Sequence, residues 1–215
     1  NGKFKNVTYK IAAEFENFGI VNKVITTDIN NDGWEDFISV GEWTNIGIFI
    51  NNKGSFKNIS NMSNLEDLYG WWFNIQETDV NNDGYKDYII GNIGTNSKYK
   101  TNKTKPLKVF ADDFDNNGTH DLILSYEYKN EYVPLRGKEC STQQMPFIAE
   151  KIPTFDEFAT ASLEDIYGEA VTSAYQRKVT EFSSLLLINN GDLTFRVNKL
   201  PELAQTIPLL SSDQY

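Results

Sequence analysis

The sequence predicts a mainly β fold built of repeated four-stranded units, interrupted by one helical insertion. Three observations carry this reading. Three nine-residue loops of one spacing each stand between two runs of strand character. Two of those loops recur with an offset of 51 positions, and a Gly-x-Phe stretch beside them, Gly2–Val7 against Gly54–Ile59, with an offset of 52. Residues from about 129 to 181 carry helix-capping signals instead.

The first loop reads Asp28-Ile29-Asn30-Asn31-Asp32-Gly33-Trp34-Glu35-Asp36. The second reads Asp79-Val80-Asn81-Asn82-Asp83-Gly84-Tyr85-Lys86-Asp87, and the third Asp113-Phe114-Asp115-Asn116-Asn117-Gly118-Thr119-His120-Asp121. Oxygen side chains occupy positions 1, 3, 5 and 9, with glycine at 6. Calcium explains the pattern, because it takes six to eight hard oxygen ligands at ~2.3–2.6 Å in a flexible shell. Alternate residues of a tight loop point at one centre, and glycine permits the sharp turn. The candidate ligands are thus Asp28, Asn30, Asp32 and Asp36; Asp79, Asn81, Asp83 and Asp87; and Asp113, Asp115, Asn117 and Asp121. The backbone carbonyls of Trp34, Tyr85 and Thr119 at position 7 complete each set, which leaves the side chain at 7 free to vary. Up to three Ca²⁺ ions would offset six of the ten net negative charges. An ordinary Asn/Asp/Gly turn needs no metal, but it does not explain three full matches with closely packed carboxylates.

An EF-hand opens in the same way but needs a bidentate Glu at position 12 and flanking helices. Position 12 here is Ser39, Ile90 and Leu124. The flanking runs, such as Val24-Ile25-Thr26-Thr27 and Phe37-Ile38-Ser39-Val40, are β-branched and aromatic. The order is strand, loop, strand, which gives metal hairpins at 24–40, 73–91 and 107–125.

The formal net charge of −10 argues against nucleic acid, whose partners need a basic face. No apolar run reaches the ~18–20 residues of a membrane span. The one histidine, His120, excludes a multi-histidine zinc site and disfavours a His-based triad. The one cysteine, Cys140, leaves no intrachain disulfide framework.

Gly2-Lys3-Phe4-Lys5-Asn6-Val7 matches Gly54-Ser55-Phe56-Lys57-Asn58-Ile59. The hairpin Gly47–Phe56, turning at Asn51-Asn52-Lys53-Gly54, recurs as Leu185–Phe195, turning at Asn189-Asn190-Gly191-Asp192. Four strands per unit of about 50 residues fit the blade of a β-propeller.

This combination resembles the FG-GAP/VCBS repeat family, the integrin-α-type β-propellers, and more narrowly the bacterial secreted proteins that carry such repeats, some with an ASPIC/UnbV module. No sign of that module is present. The resemblance implies calcium ligation by positions 1, 3, 5 and 9, and all twelve positions carry oxygen side chains here.

Two departures stand out. The second and third loops are offset by only 34 positions, so the second blade is either shortened or borrows a strand. The third unit is lengthened between Asp113 and Asn189 by the helical insertion. There Thr154-Phe155-Asp156-Glu157 and Ser162-Leu163-Glu164-Asp165 read as capping boxes. Gly168 is expected to end the second helix, and Pro146 and Pro153 to bound a short helical piece. Phe155, Phe158, Leu163 and Ile166 are expected to share its buried face. The insertion either covers a blade end or binds a ligand.

The chain opens on Asn1 inside a repeat, at the Gly-x-Phe strand, and ends at Gln214-Tyr215, where a next unit is expected to begin. It reads as a fragment of a larger propeller, or as a piece that self-associates through open blade edges. His120 is expected on the loop surface, Cys140 buried, and Trp71-Trp72-Phe73 at a blade interface or as a platform for sugars.

The expected function is a non-enzymatic, calcium-stabilised binding or adhesion scaffold, extracellular, at the cell surface or periplasmic, with a protein or glycan ligand. The alternative is part of a secreted polysaccharide-active enzyme. Glu139, Glu150, Asp156, Glu157, Glu164 and Asp165 of the insertion supply its carboxylates, with no pair singled out by spacing. A third expectation is a piece that spaces another domain.

Overall fold

A computed structural model describes residues 2–211. The chain divides into two compact units, Asn1–Lys100 with Glu181–Tyr215, and Thr101–Thr180. The second unit is inserted into the sequence of the first. The strand start expected at Gln214-Tyr215 lies outside the described residues.

The first unit opens with a turn of helix, α1 (Thr8–Ile11). Residues 2–7 form no strand, although they match β4 in sequence. The physical difference is the partner. In β4, Ser55 pairs with Asn52 across a tight turn, whereas residues 2–7 lie against no strand among the described residues that takes up their N–H and C=O groups.

Strands β1 (Ile20–Thr27), β2 (Asp36–Asn45), β3 (Gly47–Asn52) and β4 (Ser55–Asn58) form an antiparallel sheet in that order. The first loop joins β1 to β2, with Thr27 opposite Asp36. β2 bulges at Trp43, which takes a left-handed φ of 57°. Around the bulge, from Glu42 to Asn45, β2 pairs with β5 (Tyr69–Trp71).

A second sheet runs β13-β12-β7-β6, from β6 (Asn74–Thr78), β7 (Asp87–Gly91), β12 (Leu185–Asn189) and β13 (Phe195–Lys199). The hairpin of β12 and β13, expected in the third unit, thus completes the second: Leu185 pairs with Ile90 and Leu187 with Tyr88. The second four-stranded unit is not shortened; it takes two strands from beyond the insertion. Alternation of side chains aims Ile38 and Val40 of the first sheet and Ile75, Tyr88, Ile90 and Leu187 of the second into one core, all 0% exposed. Burial at this completeness contributes roughly 1.5–3 kcal/mol per large side chain.

The second unit pairs β8 (Leu107–Asp112), β9 (Asp121–Tyr128), β10 (Glu131–Pro134) and β11 (Tyr175–Val179) in the order β10-β9-β8-β11. The third loop joins β8 to β9, with Asp112 opposite Asp121. Helices α2 (Lys138–Gln144), α3 (Phe147–Lys151), α4 (Phe155–Thr160), α5 (Leu163–Tyr167) and α6 (Ala170–Ser173) follow β10. The helical stretch is therefore shorter than 129–181, because both its ends are strands pairing with β9 and β8.

Both capping boxes form. Thr154 Oγ1 accepts from the Glu157 N–H at 3.2 Å, and Ser162 Oγ from the Asp165 N–H at 3.1 Å. Gly168 ends α5 at φ 82°. Phe158, Leu163 and Ile166 pack with Phe110 and Ile123 of the sheet. Phe155 does not; it is 64% exposed at the first position of α4, with the Lys138 ammonium 5.8 Å from its ring centre. Cys140 is exposed rather than buried, since α2 turns Ser141 inward and Met145, which follows it, enters the core.

Candidate metal centre

The three loops repeat one backbone. Position 4 is Asn in each and takes a left-handed φ: Asn31 58°, Asn82 56° and Asn116 57°. Position 6 is glycine at φ 86° or 87° in each. Asparagine tolerates this region better than most residues, so the shared asparagine was a usable signal that the ligand pattern alone passes over.

The side chains at positions 1, 3 and 5 fold inward over the loop's own N–H groups. Asp28 Oδ2 accepts from the Gly33 N–H at 2.8 Å, Asp79 Oδ2 from Gly84 at 3.2 Å, and Asp113 Oδ2 from Gly118 at 2.8 Å. Position 5 accepts from the N–H of position 7: Asp32 from Trp34 at 2.9 Å, Asp83 from Tyr85 at 2.8 Å, and Asn117 from Thr119 at 2.8 Å. Positions 3 and 5 also meet, through Asn30 to Asp32 at 3.0 Å, Asn81 to Asp83 at 2.7 Å, and Asn117 to Asp115 at 3.0 Å.

Position 9 opens the second strand of each hairpin and is buried. Asp36 and Asp87 are fully buried and Asp121 nearly so. Asp36 accepts from the N–H groups of Ile29 at 2.9 Å and Asn51 at 2.7 Å. Asp87 accepts from those of Val80 and Asn189, both at 2.9 Å. The third loop has no such hairpin beside it. There Gln144 of α2 reaches Asp121 Oδ1 at 3.4 Å. Burial pushes the Asp36 and Asp121 carboxyls above the usual range; the hydrogen bonds of Asn51 and Gln144 oppose it, and the nearby charges of Asp32 and Asp115 add to it.

Two observations test the loops against a hard divalent cation. The carboxylate oxygens of Asp113, Asp115 and Asp121 lie within 4.8 Å of one another and could hold a metal ion. Asp79 Oδ1 and Asp121 Oδ2 are buried acceptors with no hydrogen-bond partner. An oxygen cluster with orphaned, desolvated acceptors is what such a cation satisfies. The first two loops have Asn rather than Asp at position 3, and their carboxylates are not drawn together as closely.

Asn51, Asn189 and Gln144 are the residues the ligand pattern missed. The two asparagines begin the turns of the recurring hairpins, so their signal lay in the repeat. Gln144 had none. His120 is exposed. Trp72 is fully buried, its indole N–H donating to the Thr44 carbonyl at 3.0 Å, and Trp71 packs among Trp43, Tyr99 and Phe182. In the insertion, Lys151, Thr160, Glu157 and Asp165 line a cavity of about 340 Å³. Both of its carboxylates are engaged as caps, and the Ser162 hydrogen bonds hold Asp165 below the usual carboxylate range.

A family model described as an FG-GAP-like repeat matches residues 28–90, from Asp28 through the second loop into β7. That stretch is an FG-GAP-like repeat within a mainly β chain. No curated protein and no solved structure matches the chain. No helix among the described residues is long and apolar enough to cross a membrane.

Proposed function

We propose that the protein is a calcium-stabilised, non-enzymatic binding scaffold of the β-propeller type, acting outside the cell or at its surface, or in the periplasm. The observation that carries this is the shared geometry of the three loops, two of them inside the FG-GAP-like repeat. The loops in this reading hold one Ca²⁺ each through positions 1, 3, 5 and 9 and the position 7 carbonyl. Bound calcium would neutralise the gathered carboxylates and cross-link the two strands of each hairpin.

The role is structural. Extracellular calcium modules work at Kd values of ~10⁻⁴ to 10⁻³ M, and an ion at tenfold excess over Kd adds about 1.4 kcal/mol of stability per site. The three antiparallel sheets fit blades of a partial propeller, with a protein or glycan as ligand. A non-enzymatic role is supported by the cavity of the insertion, whose carboxylates serve as helix caps rather than as a free acid/base pair.

Thermal melting with calcium and with EDTA tests the reading. A clearly lower Tm in EDTA, restored by added calcium, is expected. An unmoved melting curve overturns it.

A further inference from the structure

The first two loops touch each other. The Asn31 side chain, at position 4 of the first, donates to the Gly84 carbonyl, at position 6 of the second, at 3.2 Å. A second link runs through Asn189, which is 1% exposed. Its N–H donates to Asp87 Oδ1 at 2.9 Å, and its side-chain amide donates to the Ile29 carbonyl at 2.8 Å. The Ile29 N–H in turn donates to Asp36 Oδ2 at 2.9 Å. A continuous chain of hydrogen bonds thus joins the position 9 carboxylate of the second loop to that of the first.

The corresponding residue of the first hairpin is used differently. Asn51 also gives its N–H to the position 9 aspartate, at 2.7 Å, but its amide turns back to the Glu35 carbonyl of its own loop, at 2.8 Å. Only the second hairpin reaches across to a neighbouring loop among these two.

We propose that the first and second loops bind calcium cooperatively, with Asn189 and Asn31 as the coupling residues. The proposal rests on the calcium reading of these loops. Ordering the second loop fixes Asp87, and Asp87 fixes Asn189. The buried amide of Asn189 then holds Ile29 and, through its N–H, orients Asp36. Conformational entropy spent on one loop is not spent again on the other, which is positive coupling, and it is reciprocal.

The test uses the full chain stripped of calcium, with terbium as an oxygen-seeking calcium substitute. Trp34, 45% exposed at position 7 of the first loop, sensitises terbium luminescence there. The second loop is disabled by Asp83→Ala. The first-loop affinity for terbium is expected to fall about fivefold or more. In an Asn31→Gly background, where glycine keeps the left-handed backbone and removes the amide, the same Asp83→Ala change is expected to cost less than half that factor. Adding Asn189→Ala should abolish the remainder; if that variant does not fold, Asn31→Gly decides alone. A first-loop affinity unmoved by Asp83→Ala overturns the coupling, as does an equal loss with and without Asn31→Gly. Absence of Trp34-sensitised luminescence in the intact chain overturns the calcium reading of the first loop, and the coupling with it.

Discussion

Asn189 donates its backbone N–H to the Asp87 carboxylate at 2.9 Å across 102 residues of sequence. The same bond joins Asn51 to Asp36 across 15 residues in the first sheet. The pairing shows which loop each hairpin serves, and it places residues 101–180 as an insert within the second four-stranded unit. Replacing Asp87 with Ala would strand two N–H donors, the buried one of Asn189 and the partly buried one of Val80. Asp87→Ala is expected to cost about 2–4 kcal/mol in urea unfolding. The surface variant Asp192→Ala, which loses only local bonds from the Thr194 N–H and hydroxyl, should cost under about 1 kcal/mol.

The two ends of the insert lie together. The Thr101 hydroxyl donates to the Val179 carbonyl at 2.5 Å, so a short Gly/Ser linker can replace residues 102–179. The first unit has its own core and both of its sheets without them. It is expected to unfold in one cooperative transition after the excision, by circular dichroism in urea. Loss of cooperativity would show that the insert is required for the second sheet to close.

Glu181 is a carboxylate with a stabilising charge. Burial alone would raise its pKa, but the Ser183 N–H at 2.8 Å and the Lys199 ammonium at 3.0 Å outweigh it and hold the group below the usual range. A folded pKa below the unfolded one means that the unfolded chain binds more protons in acid, so stability rises with pH there. The contribution is complete above the ordinary Glu range and is lost as pH falls through the lowered folded value. Glu181→Gln should therefore destabilise by about 1–2 kcal/mol at neutral pH, and the difference from wild type should vanish in acid, measured by urea unfolding at a series of pH values.

The caps of the insert are local and separable. Thr154→Ala and Ser162→Ala each remove a side chain that accepts an N3 N–H. Each is expected to cost about 1 kcal/mol, read as a lower Tm of the full chain. The double variant should be close to additive, because each cap serves its own helix.

These residues also show what was legible in the sequence. The loops and caps were, because a fixed spacing within nine or four residues determines each one. The two strands flanking each loop were legible from their β-branched and aromatic runs. Ownership of the Leu185–Phe195 hairpin was not. Its pattern is the same whichever sheet it joins, and only the partner Ile90 opposite Leu185 decides. Gly2–Val7 misled for a related reason, since a strand-like sequence makes no strand without a neighbour. Phe155 and Cys140 were misplaced because residues at a helix start or on a short helix choose their face by tertiary packing. The link from Asn189 to Ile29 spans 160 residues, and nothing local announces it.

The most direct measurement is a count of bound calcium. The protein, freed of metal and dialysed against millimolar calcium, is analysed for bound ion and titrated by calorimetry. Three ions per chain are expected, falling to two in Asp115→Ala, with Tm rising as the sites fill. No bound calcium, together with a Tm indifferent to calcium and EDTA, would contradict the calcium reading.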